Sequence, residues 1–351
     1  MKKIDEIDKN LKVESEIEKD GTTFYNVLEE PFKVHGLIRE NGRYKRLTEA
    51  DSKAISPDVY GGHASTAGGR VRFRTDSPYI AISVNMHAAK MSHFAVTGSA
   101  GFDLYINEGK GDEYFGTFIP PFDVDTHYES RLELGDRKLR DITIHFPLYS
   151  IVDDLYVGLL EDALVAAATP YRYDRPIVFY GHSVTQGACA SHPGNAYTNM
   201  ISRRFQIDHV NLGFSGSAKG EQGAAEYVAG LDMEIFVYDY DHNAPSVEHL
   251  QNTHQRMFKI FREKHPQTPV IMLSSASMPR FLDDTEARKA IVYKTYQDAL
   301  AAGDQNVYFI DGSKIMEECG FGATVEGLHP NDLGFYFIAK AIGDVVEQIL
   351  G

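Results

Sequence analysis

Two patterns of hydrophobic and polar positions divide the chain near residue 170. Between Phe24 and Leu160, apolar and polar residues alternate in short runs, which clusters of Gly, Pro, Asn and Asp separate. The clearest runs are Arg70–Thr75, Ile80–Met86, Phe102–Ile106 and Ile142–Phe146. A period of two is typical of antiparallel strands with one buried face. Several such strands in succession predict a β-sandwich or jelly roll.

From Pro176 onward, short apolar runs alternate with segments of helical periodicity. The predicted strands are Ile177–Tyr180, His209–Leu212, Ile235–Tyr238, Val270–Leu273 and Val307–Ile310. The predicted helices are Asn195–Phe205, Glu221–Gly230, Ser246–Lys264, Thr285–Ala302 and Asp332–Leu350. The last helix has a predicted buried face made of Leu333, Phe337, Ala341, Val345 and Ile349. This alternation predicts a parallel sheet covered by helices on both faces.

The two patterns predict a charged leader and two domains. We expect a solvated leader over residues 1–20, a sandwich over residues 21–172 and an α/β domain over residues 173–351. The leader has no apolar centre of the kind a signal peptide needs, and no apolar run approaches the length of a membrane span. We therefore expect a cytoplasmic protein that does not enter the membrane.

Charge and cysteine content narrow the choice of partners and compartment. The 351 residues include 35 Lys and Arg against 50 Asp and Glu, a formal net charge of −15. A chain this acidic repels phosphate backbones, and its longest basic cluster, Arg70 to Arg74, alternates with apolar residues as a strand does. Nucleic acid is therefore not an expected partner. The two cysteines, Cys189 and Cys319, are too few for a disulfide framework or a four-cysteine metal site.

Four polar clusters lie where predicted strands of the second half lead towards helices. They are Gly181–Gly187, Asn211–Ser217, Asp239–Pro245 and Glu326–Asn331. In a doubly wound sheet such loops meet at one edge, outside the carboxyl ends of the strands. We therefore expect the four clusters to form one site.

The clusters contain the groups that acyl transfer requires. Nucleophilic catalysis by serine needs a base and a carboxylate that fixes the tautomer of the base, and Ser183, His329 and Glu326 supply these groups. The reaction also needs hydrogen-bond donors for the developing oxyanion. The backbone N–H groups of Ser183 and Gly216 and the side-chain amide of Asn243 are the expected donors.

In this order, the four clusters resemble the blocks of the SGNH (GDSL-type) hydrolases, named for their Ser, Gly, Asn and His. The resemblance places Ser183 on the nucleophile, Gly216 and Asn243 on the oxyanion residues, and His329 on the base. Two positions depart from the usual pattern. Gly181-His182-Ser183 replaces Gly-Asp-Ser, and Glu326 stands where the family usually has aspartate.

A second motif extends the resemblance to the first half of the chain. Gly101–Tyr105, with Asp103 and Leu104, is similar to the Gly-x-Asp-Leu-Tyr signature of a β-sandwich domain that precedes SGNH domains in some bacterial esterases. The resemblance implies a flavodoxin-like three-layer α/β/α domain preceded by an antiparallel, jelly-roll-like sandwich. It also implies a chemistry that needs no metal and no organic cofactor.

Several residues near the clusters have alternative interpretations. Asp311 is a competing carboxylate for the third triad position, Gly213 competes with Gly216, and Asn243 could brace its own turn instead. His182, His242 and Tyr240 are candidate substrate contacts. A metal site on Asp239, Asp241 and His242 is a weak alternative. For three residues of the first half, a structural role is favoured over a role in the site; these are Tyr60, His63 and Asp103.

The residues and the resemblance together predict a serine esterase for small acyl esters. We expect O-acetyl groups on carbohydrate as substrates, as for an acetylxylan esterase, with a small molecule or an oligosaccharide as the alcohol. An acyltransferase with the same triad is the first alternative, and an inactive carbohydrate-binding protein is the second. Homo-oligomer formation stays open.

Overall fold

The first half of the chain folds into antiparallel sheets. The structure is a computed structural model, which describes residue 8, residues 12–276 and residues 283–351. The strands of this half are β1 (Thr22–Asn26), β2 (Lys33–His35), β3 (Ile38–Glu40), β4 (Arg43–Lys45), β5 (Arg70–Thr75), β6 (Tyr79–His87), β7 (Phe102–Asn107), β8 (Glu113–Phe118), β9 (His127–Glu133), β10 (Arg140–His145), β11 (Ile151–Leu160) and β12 (Val165–Ala166). None of the helices in the described part of the chain combines the length and hydrophobicity that crossing a bilayer requires.

Two of the sheets pack face to face and confirm the predicted sandwich. One sheet has the strand order β1-β11-β6-β9, and the other has the order β12-β5-β10-β7-β8, with β2 added beside β5. All of these pairs are antiparallel. Phe73 and Leu104 from one sheet and Ile82 and Val157 from the other are buried in the layer between them.

The second half contains the predicted parallel sheet. Its strands are β13 (Ile177–Gly181), β14 (His209–Gly213), β15 (Ile235–Asp239), β16 (Val270–Leu273) and β17 (Val307–Ile310). They run in the order β14-β13-β15-β16-β17, all parallel. This is the 2-1-3-4-5 order of flavodoxin-like domains, in which the chain reverses direction beside the first strand.

Helices cover both faces of the parallel sheet. The helices of the chain are α1 (Glu49–Ile55), α2 (Pro57–Gly62), α3 (Val96–Ser99), α4 (Ser183–Gln186), α5 (Tyr197–Phe205), α6 (Gln222–Ala229), α7 (Val247–Lys264), α8 (Thr285–Ala301) and α9 (Asp332–Leu350), with 3₁₀ turns at Pro193–Asn195, Asp241–Asn243, Gly312–Lys314 and Gly320–Ala323. Val178 and Phe236 of the sheet face α6, α7 and α8. Phe179 and Val237 face α5 and α9. This arrangement gives the expected three layers.

The buried face of α9 differs from the prediction. Phe335, Ile338, Ile342 and Val346 pack fully into the core, whereas Leu333 is 46% exposed. Both faces of this helix are apolar, so spacing alone did not tell which one faces the sheet. The sequence pattern also missed α1 and α2, which are too short to show a helical period and are fixed by side-chain caps from Thr48 and Ser56.

The Gly-x-Asp-Leu-Tyr motif joins the sandwich to the α/β domain. Asp103 is fully buried on β7, and its carboxylate accepts hydrogen bonds from His192 Nδ1 (2.5 Å), Gly194 N (2.6 Å) and Thr117 Oγ1 (2.7 Å). Gly194 is held so close to the motif that a Cβ there would lie 2.2 Å from the hydroxyl of Tyr105. Asp103 therefore has a structural role, as favoured from the sequence.

Replacing Asp103 by asparagine should destabilise the protein by about 2–3 kcal/mol, because the side-chain NH₂ group would face buried donors. Thermal or urea unfolding would measure the loss. Asp123→Asn, a change at an exposed carboxylate, is the matched control and should leave stability unchanged. Equal stability of the two variants would contradict the role of Asp103 as the link between the domains.

The charged leader is partly attached to the sandwich. Ile17 N and Lys19 Nζ both reach the carboxylate of Glu129 on β9, at 3.3 and 2.7 Å. Ser15 O accepts a hydrogen bond from Glu129 N. Residues 15–19 stay largely exposed while these contacts attach them to the sandwich, and a charge pattern alone does not show which carboxylate a lysine meets. The solvated leader remains a prediction. Residues 1–7 and 9–11 lie outside the described residues.

Candidate active site

The register of the parallel sheet brings three of the predicted clusters together. Gly181, at the end of β13, lies level with Gly213 on β14 and Asp239 on β15. A Cβ on Gly181 would lie 2.1 Å from Thr185 Oγ1 and 2.4 Å from Asp239 O, so only glycine fits where β13 turns into α4. The tight turn places Ser183 at the first position of α4, above the edge of the sheet.

Ser183, His329 and Glu326 form a continuous line of hydrogen bonds. Ser183 Oγ lies 2.9 Å from His329 Nε2, and His329 Nδ1 lies 2.6 Å from Glu326 Oε1. Because a carboxylate only accepts, Nδ1 donates to Glu326, and Nε2 is left with the lone pair that faces the serine hydroxyl. The arrangement is that of a nucleophile, a base and a carboxylate that fixes the tautomer of the base.

The loop before α9 presents His329 to the serine. Glu326 Oε1 also accepts a hydrogen bond from the backbone N–H of His329 at 3.0 Å, so the carboxylate is held under the ring. Gly327, with φ +87°, makes the turn between them. Asn331 then caps α9 by accepting hydrogen bonds from Leu333 N and Gly334 N. One short segment, residues 326–331, thus contains both the Glu326–His329 pair and the N-terminal cap of α9.

His329 is held in its neutral form. Burial lowers its pKa, the carboxylate of Glu326 raises it, and the nearby rings of His182 and His93 lower it again, so that the pKa lies below the ordinary value of 6.5. Burial is the largest of these effects because it disfavours the charged imidazolium. A neutral imidazole near neutral pH is what a general base needs.

The loop after β14 places the N–H of Gly216 differently from that of Gly213. Gly213 N donates to Asn211 Oδ1 at 2.9 Å, and a Cβ on Gly213 would lie 2.2 Å from Gln186 N. Gly216 has φ +68° and open space around its Cα, and its N–H has no hydrogen-bond partner among the described residues. Of the two glycines, only Gly216 has a donor available for an oxyanion.

Asn243 supports the Gly216 loop with its side chain. Its Nδ2 donates to Phe214 O at 3.0 Å, across from its own turn. The interpretation in which Asn243 braces its own turn is therefore wrong for this side chain. An amide has two N–H groups, so one remains for an oxyanion while the other fixes the loop that carries Gly216.

His182 is a buried brace beneath the nucleophile. Its Nδ1 accepts a hydrogen bond from Val184 N at 3.2 Å and so caps α4, and its Nε2 lies 3.0 Å from Asp239 Oδ1. The ring is only 4% exposed. The prediction of a substrate contact at His182 is therefore wrong, because both ring nitrogens face the protein. Burial lowers the pKa of His182, but the charges of Asp239 and Asp241 outweigh it and raise the pKa above the ordinary value.

The protonation of the His182 ring also excludes a metal ion at the cluster that it forms with Asp239 and Asp241. One ligand atom from each of His182, Asp239 and Asp241 lies within 4.8 Å of the others. However, the N–H of Val184 points at Nδ1, so the proton of a neutral His182 is on Nε2, and a charged ring carries a proton there as well. Nε2 therefore has no lone pair for a cation in either form. The cluster does not fit a metal centre.

Two further side chains do not face the site. Tyr240 is buried and donates to Thr253 Oγ1 at 3.1 Å on α7, so it belongs to the core and its predicted substrate contact is wrong. Asp311 accepts hydrogen bonds from the N and Oγ of Ser313, and its Oδ2 lies 3.6 Å from Lys289. It therefore does not replace Glu326. The half-buried His242 stays a predicted substrate contact, and burial lowers its pKa.

The sandwich contributes one residue that the sequence did not indicate, His93, which also contacts a cysteine of the α/β domain. The ring of His93, from the segment before α3, lies 5.9 Å from the ring of His329. Cys189 Sγ contacts His93 O at 3.5 Å, and burial together with the charge of Glu326 raises the thiol pKa to about 12. The thiol is therefore neutral beside the triad. No sequence signal pairs His93 with His329, since 236 positions separate them.

Two buried polar side chains tie the sandwich to the oxyanion loop. Gln186 accepts from Ser215 N at 3.0 Å and donates to Leu148 O at 3.2 Å. Arg46 donates to Gly213 O and stacks over the ring of Phe214 at 4.4 Å. Tyr60 and His63, by contrast, stack on each other, and the His63 ring bonds Tyr60 O. The loop geometry thus depends on both domains.

Comparison with known proteins finds a family match for each half of the chain. Residues 174–347 match the model of the GDSL-like lipase/acylhydrolase family, and residues 22–165 match that of the N-terminus of the SGNH-hydrolase type of esterase. No curated protein sequence matches the chain.

Solved structures share the whole two-domain architecture. A putative GDSL-like lipase from Bacteroides ovatus is 27% identical, with a TM-score of 0.84, and the match covers 94% of this chain and 98% of that one. The salicylyl-acyltransferase SsfX3 from a tetracycline biosynthetic pathway is 20% identical, with a TM-score of 0.76 and the same coverage. The acetyl xylan esterase Est2A from the rumen bacterium Butyrivibrio proteoclasticus is 12% identical, with a TM-score of 0.60 over 94% of this chain and 99% of that one.

The solved structures that are less than 25% identical to this chain show only that the fold is shared. The matches to the two family models show the family to which the chain belongs. Together the models account for the sandwich, the parallel sheet and the loops that carry Ser183, Gly216, Asn243 and His329. The chain belongs to the GDSL-like lipase/acylhydrolase family, the SGNH carboxylic ester hydrolases, and carries the GxDLY-type N-terminal domain.

Proposed function

We propose that this protein is a serine esterase that hydrolyses small acyl esters, above all O-acetyl groups on carbohydrate, through an acyl-enzyme on Ser183. The observation that carries the proposal is the line of contacts from Glu326 through His329 to Ser183 Oγ, at 2.6 and 2.9 Å. Beside it lie the available N–H of Gly216 and the amide of Asn243. Acyl transfer by a serine needs this combination of groups.

The reaction proceeds in two steps. Ser183 Oγ attacks the ester carbonyl while His329 Nε2 takes its proton, and the N–H groups of Ser183 and Gly216 and the Asn243 amide bind the oxyanion. Collapse of this intermediate passes the proton from His329 to the leaving alcohol and leaves the acyl group on Ser183. Water then loses a proton to His329, attacks the acyl-enzyme and releases the carboxylic acid and the free serine.

The carbohydrate part of the proposal rests on similarity in fold. The acetyl xylan esterase and family two carbohydrate esterases, two of them solved with cellohexaose, share both domains with this chain at 11–14% identity. The acyltransferase is an alternative because SsfX3 superposes better, with a TM-score of 0.76 against 0.60 for these esterases. An acyltransferase would pass the acyl group to an alcohol or amine in place of water.

A substrate panel separates these activities. Aryl esters of increasing acyl length, run beside acetylated xylo- and cello-oligosaccharides, should show a preference for acetyl and release of acetate from the sugars. Repeating each assay with added salicylate esters and sugar or alcohol acceptors tests transfer. Faster product formation with an acceptor, with little free acid, would favour the acyltransferase and reject the hydrolase.

The activity should depend on a group that titrates below pH 6.5. Because His329 must be neutral to take the serine proton, kcat/KM should be high above its pKa and fall as the pH drops through it. Burial lowers that pKa below 6.5, so the decline should have its midpoint on the acid side of this value. Melting curves at each pH would confirm that the protein stays folded. A midpoint above 6.5 would contradict the assignment of His329 as the buried base.

Replacing Asn243 by alanine should lower kcat by about 10²–10³-fold with little change in KM, because the amide acts mainly on the oxyanion. Kinetics on an aryl acetate would measure the effect. Asn252→Ala on the exposed side of α7 is the matched control and should retain full activity. A change in KM alone would show that Asn243 binds the ground state and does not stabilise the oxyanion.

A further inference from the structure

A buried arginine at the seam between the domains, away from the proposed active site, has no hydrogen-bond or ion-pair partner among the described residues. Arg72 is on β5 and is 3% exposed, yet no hydrogen bond or ion pair joins its guanidinium to any described residue. Its Nε is fully buried and unsatisfied. Buried charges in proteins are normally paired, since desolvation disfavours a lone one strongly.

The neighbouring arginine on the same face of β5, Arg70, has hydrogen-bond acceptors for its guanidinium. Arg70 donates to Asp208, to His209 O and to the hydroxyl of Tyr171. Asp208 is also bound by His35 Nδ1 at 2.8 Å, so both of its carboxylate oxygens already have a partner. The seam therefore supplies Arg70 with a complete set of acceptors and leaves Arg72, two positions further along the strand, with none of its own.

Arg72 lines a cavity of about 350 Å³ that the two domains form together. Its guanidinium stacks on the ring of Tyr171 at 4.0 Å, which fixes the plane of the group and leaves its edge free. A guanidinium edge held in this way matches the two oxygens of a carboxylate. The cavity lies where β14 begins, near Asp208, and the proposed active site lies at the opposite edge of the sheet.

The other walls of the cavity decide which kind of anion fits. Lys33 adds a positive charge, whereas Glu30 and Asp174 are exposed carboxylates on the rim, and Asp208 is the engaged carboxylate at the base. An inorganic phosphate, with close to two negative charges, would be repelled by these acids more strongly than a singly charged carboxylate would. A ligand with one carboxylate and several hydroxyl groups fits both kinds of charge in the cavity. Its carboxylate binds Arg72, and its hydroxyls donate hydrogen bonds to the carboxylates on the rim.

We infer that this cavity is a binding site for a sugar acid, such as a uronic acid unit, with Arg72 as the carboxylate-binding residue. Tyr173 provides further ring surface along the wall, and the Thr169 hydroxyl, which donates to Asp141 Oδ2 at 2.8 Å, can still accept a hydrogen bond. The site is separate from ester hydrolysis, and its occupation does not depend on Ser183.

Binding of free sugars to the full-length protein tests the inference. Isothermal titration and melting curves would compare glucuronate and galacturonate with glucose, acetate and inorganic phosphate. Glucose has a CH₂OH group in place of the carboxylate of glucuronate, and acetate has a carboxylate without the hydroxylated sugar ring. At least one uronate should bind saturably and raise the melting temperature, while glucose, acetate and phosphate each bind about tenfold more weakly or worse.

The variants separate binding from folding. Arg72→Met keeps an apolar stem over Tyr171 and should melt no lower than wild type without ligand, because it removes a lone buried charge. It should lose uronate binding and keep full activity on an aryl acetate. Arg72→Lys keeps the charge without the two-pronged edge and should bind about tenfold more weakly.

Arg74→Met is the matched control, since Arg74 lies on the same face of β5 but its side chain is 38% exposed near Asp141. It should bind uronate as wild type does. No saturable binding of either uronate, or equal binding by wild type and Arg72→Met, would overturn the inference. Phosphate or glucose binding as tight as that of uronate would overturn the assignment to a sugar acid.

Discussion

Replacing Ser183 by alanine should lower kcat for an aryl acetate by about 10⁴-fold or more, with the fold intact. The change removes the hydroxyl that faces His329 Nε2 and with it the site of the acyl-enzyme. Ser183 sits in a turn fixed by Gly181 and by the cap from His182, and neither of these contacts uses the hydroxyl. The variant should therefore melt close to wild type while its turnover disappears.

The control for this variant is Ser217→Ala. Ser217 lies in the neighbouring loop, and its hydroxyl donates only to Ser215 O, at 3.0 Å. Its loss should leave kcat within a few-fold of wild type. Turnover by Ser183→Ala at the wild-type rate would show that another group attacks the ester, and the proposed mechanism would be rejected.

Replacing Glu326 by glutamine should lower kcat by about 10³-fold. The carboxylate holds the proton of His329 on Nδ1, whereas an amide can present its NH₂ group to that nitrogen and favour the wrong tautomer. Glu326 is 37% exposed, so water can partly replace it, and we expect a smaller effect than for Ser183.

Two further variants serve as a control for Glu326→Gln and as a test of the competing carboxylate. Glu318→Gln, at an exposed glutamate of the same region, should have wild-type kinetics. Asp311→Asn tests the competing carboxylate and should also retain activity, since Asp311 is bound by Ser313. A large loss in Asp311→Asn with little loss in Glu326→Gln would reverse the assignment of the third residue.

The sequence predicted those parts of the site that depend on strand ends. Ser183, Gly216 and Asn243 follow β13, β14 and β15, and parallel strands bring their carboxyl ends to one edge. Glu326 and His329 could be predicted because they are three residues apart in one loop. The division at residues 21–172 and 173–351 remains our proposal for the domain boundaries.

Contacts between distant segments could not be predicted in this way. His93 reaches His329, and Arg46 reaches Gly213, only because the sandwich packs against the α/β domain, and neither pair has a spacing or motif that shows it. Tyr240 was misplaced for a related reason. It follows the end of β15 as Asp241 does, but its side chain turns into the core against Thr253 on α7.

His182 gains a role that its sequence position did not reveal. The wider family has aspartate before the serine, and a short acceptor at this position can cap the turn that carries the nucleophile. In this chain, the ring of His182 caps the same turn through Nδ1, while Asp239 lies beneath it at 3.0 Å. In this chain the pair His182 and Asp239 thus takes the place of the single aspartate that usually precedes the nucleophile in the family.

The central claim is that Ser183 carries the acyl group, and labelling with a fluorophosphonate tests it most directly. Peptide mapping by mass spectrometry should find one label per chain, on Ser183, and aryl acetate hydrolysis should fall in proportion to labelling. Ser183→Ala should take up no label. Full labelling of Ser183 with hydrolysis unchanged, or loss of hydrolysis with the label on another residue, would contradict the account.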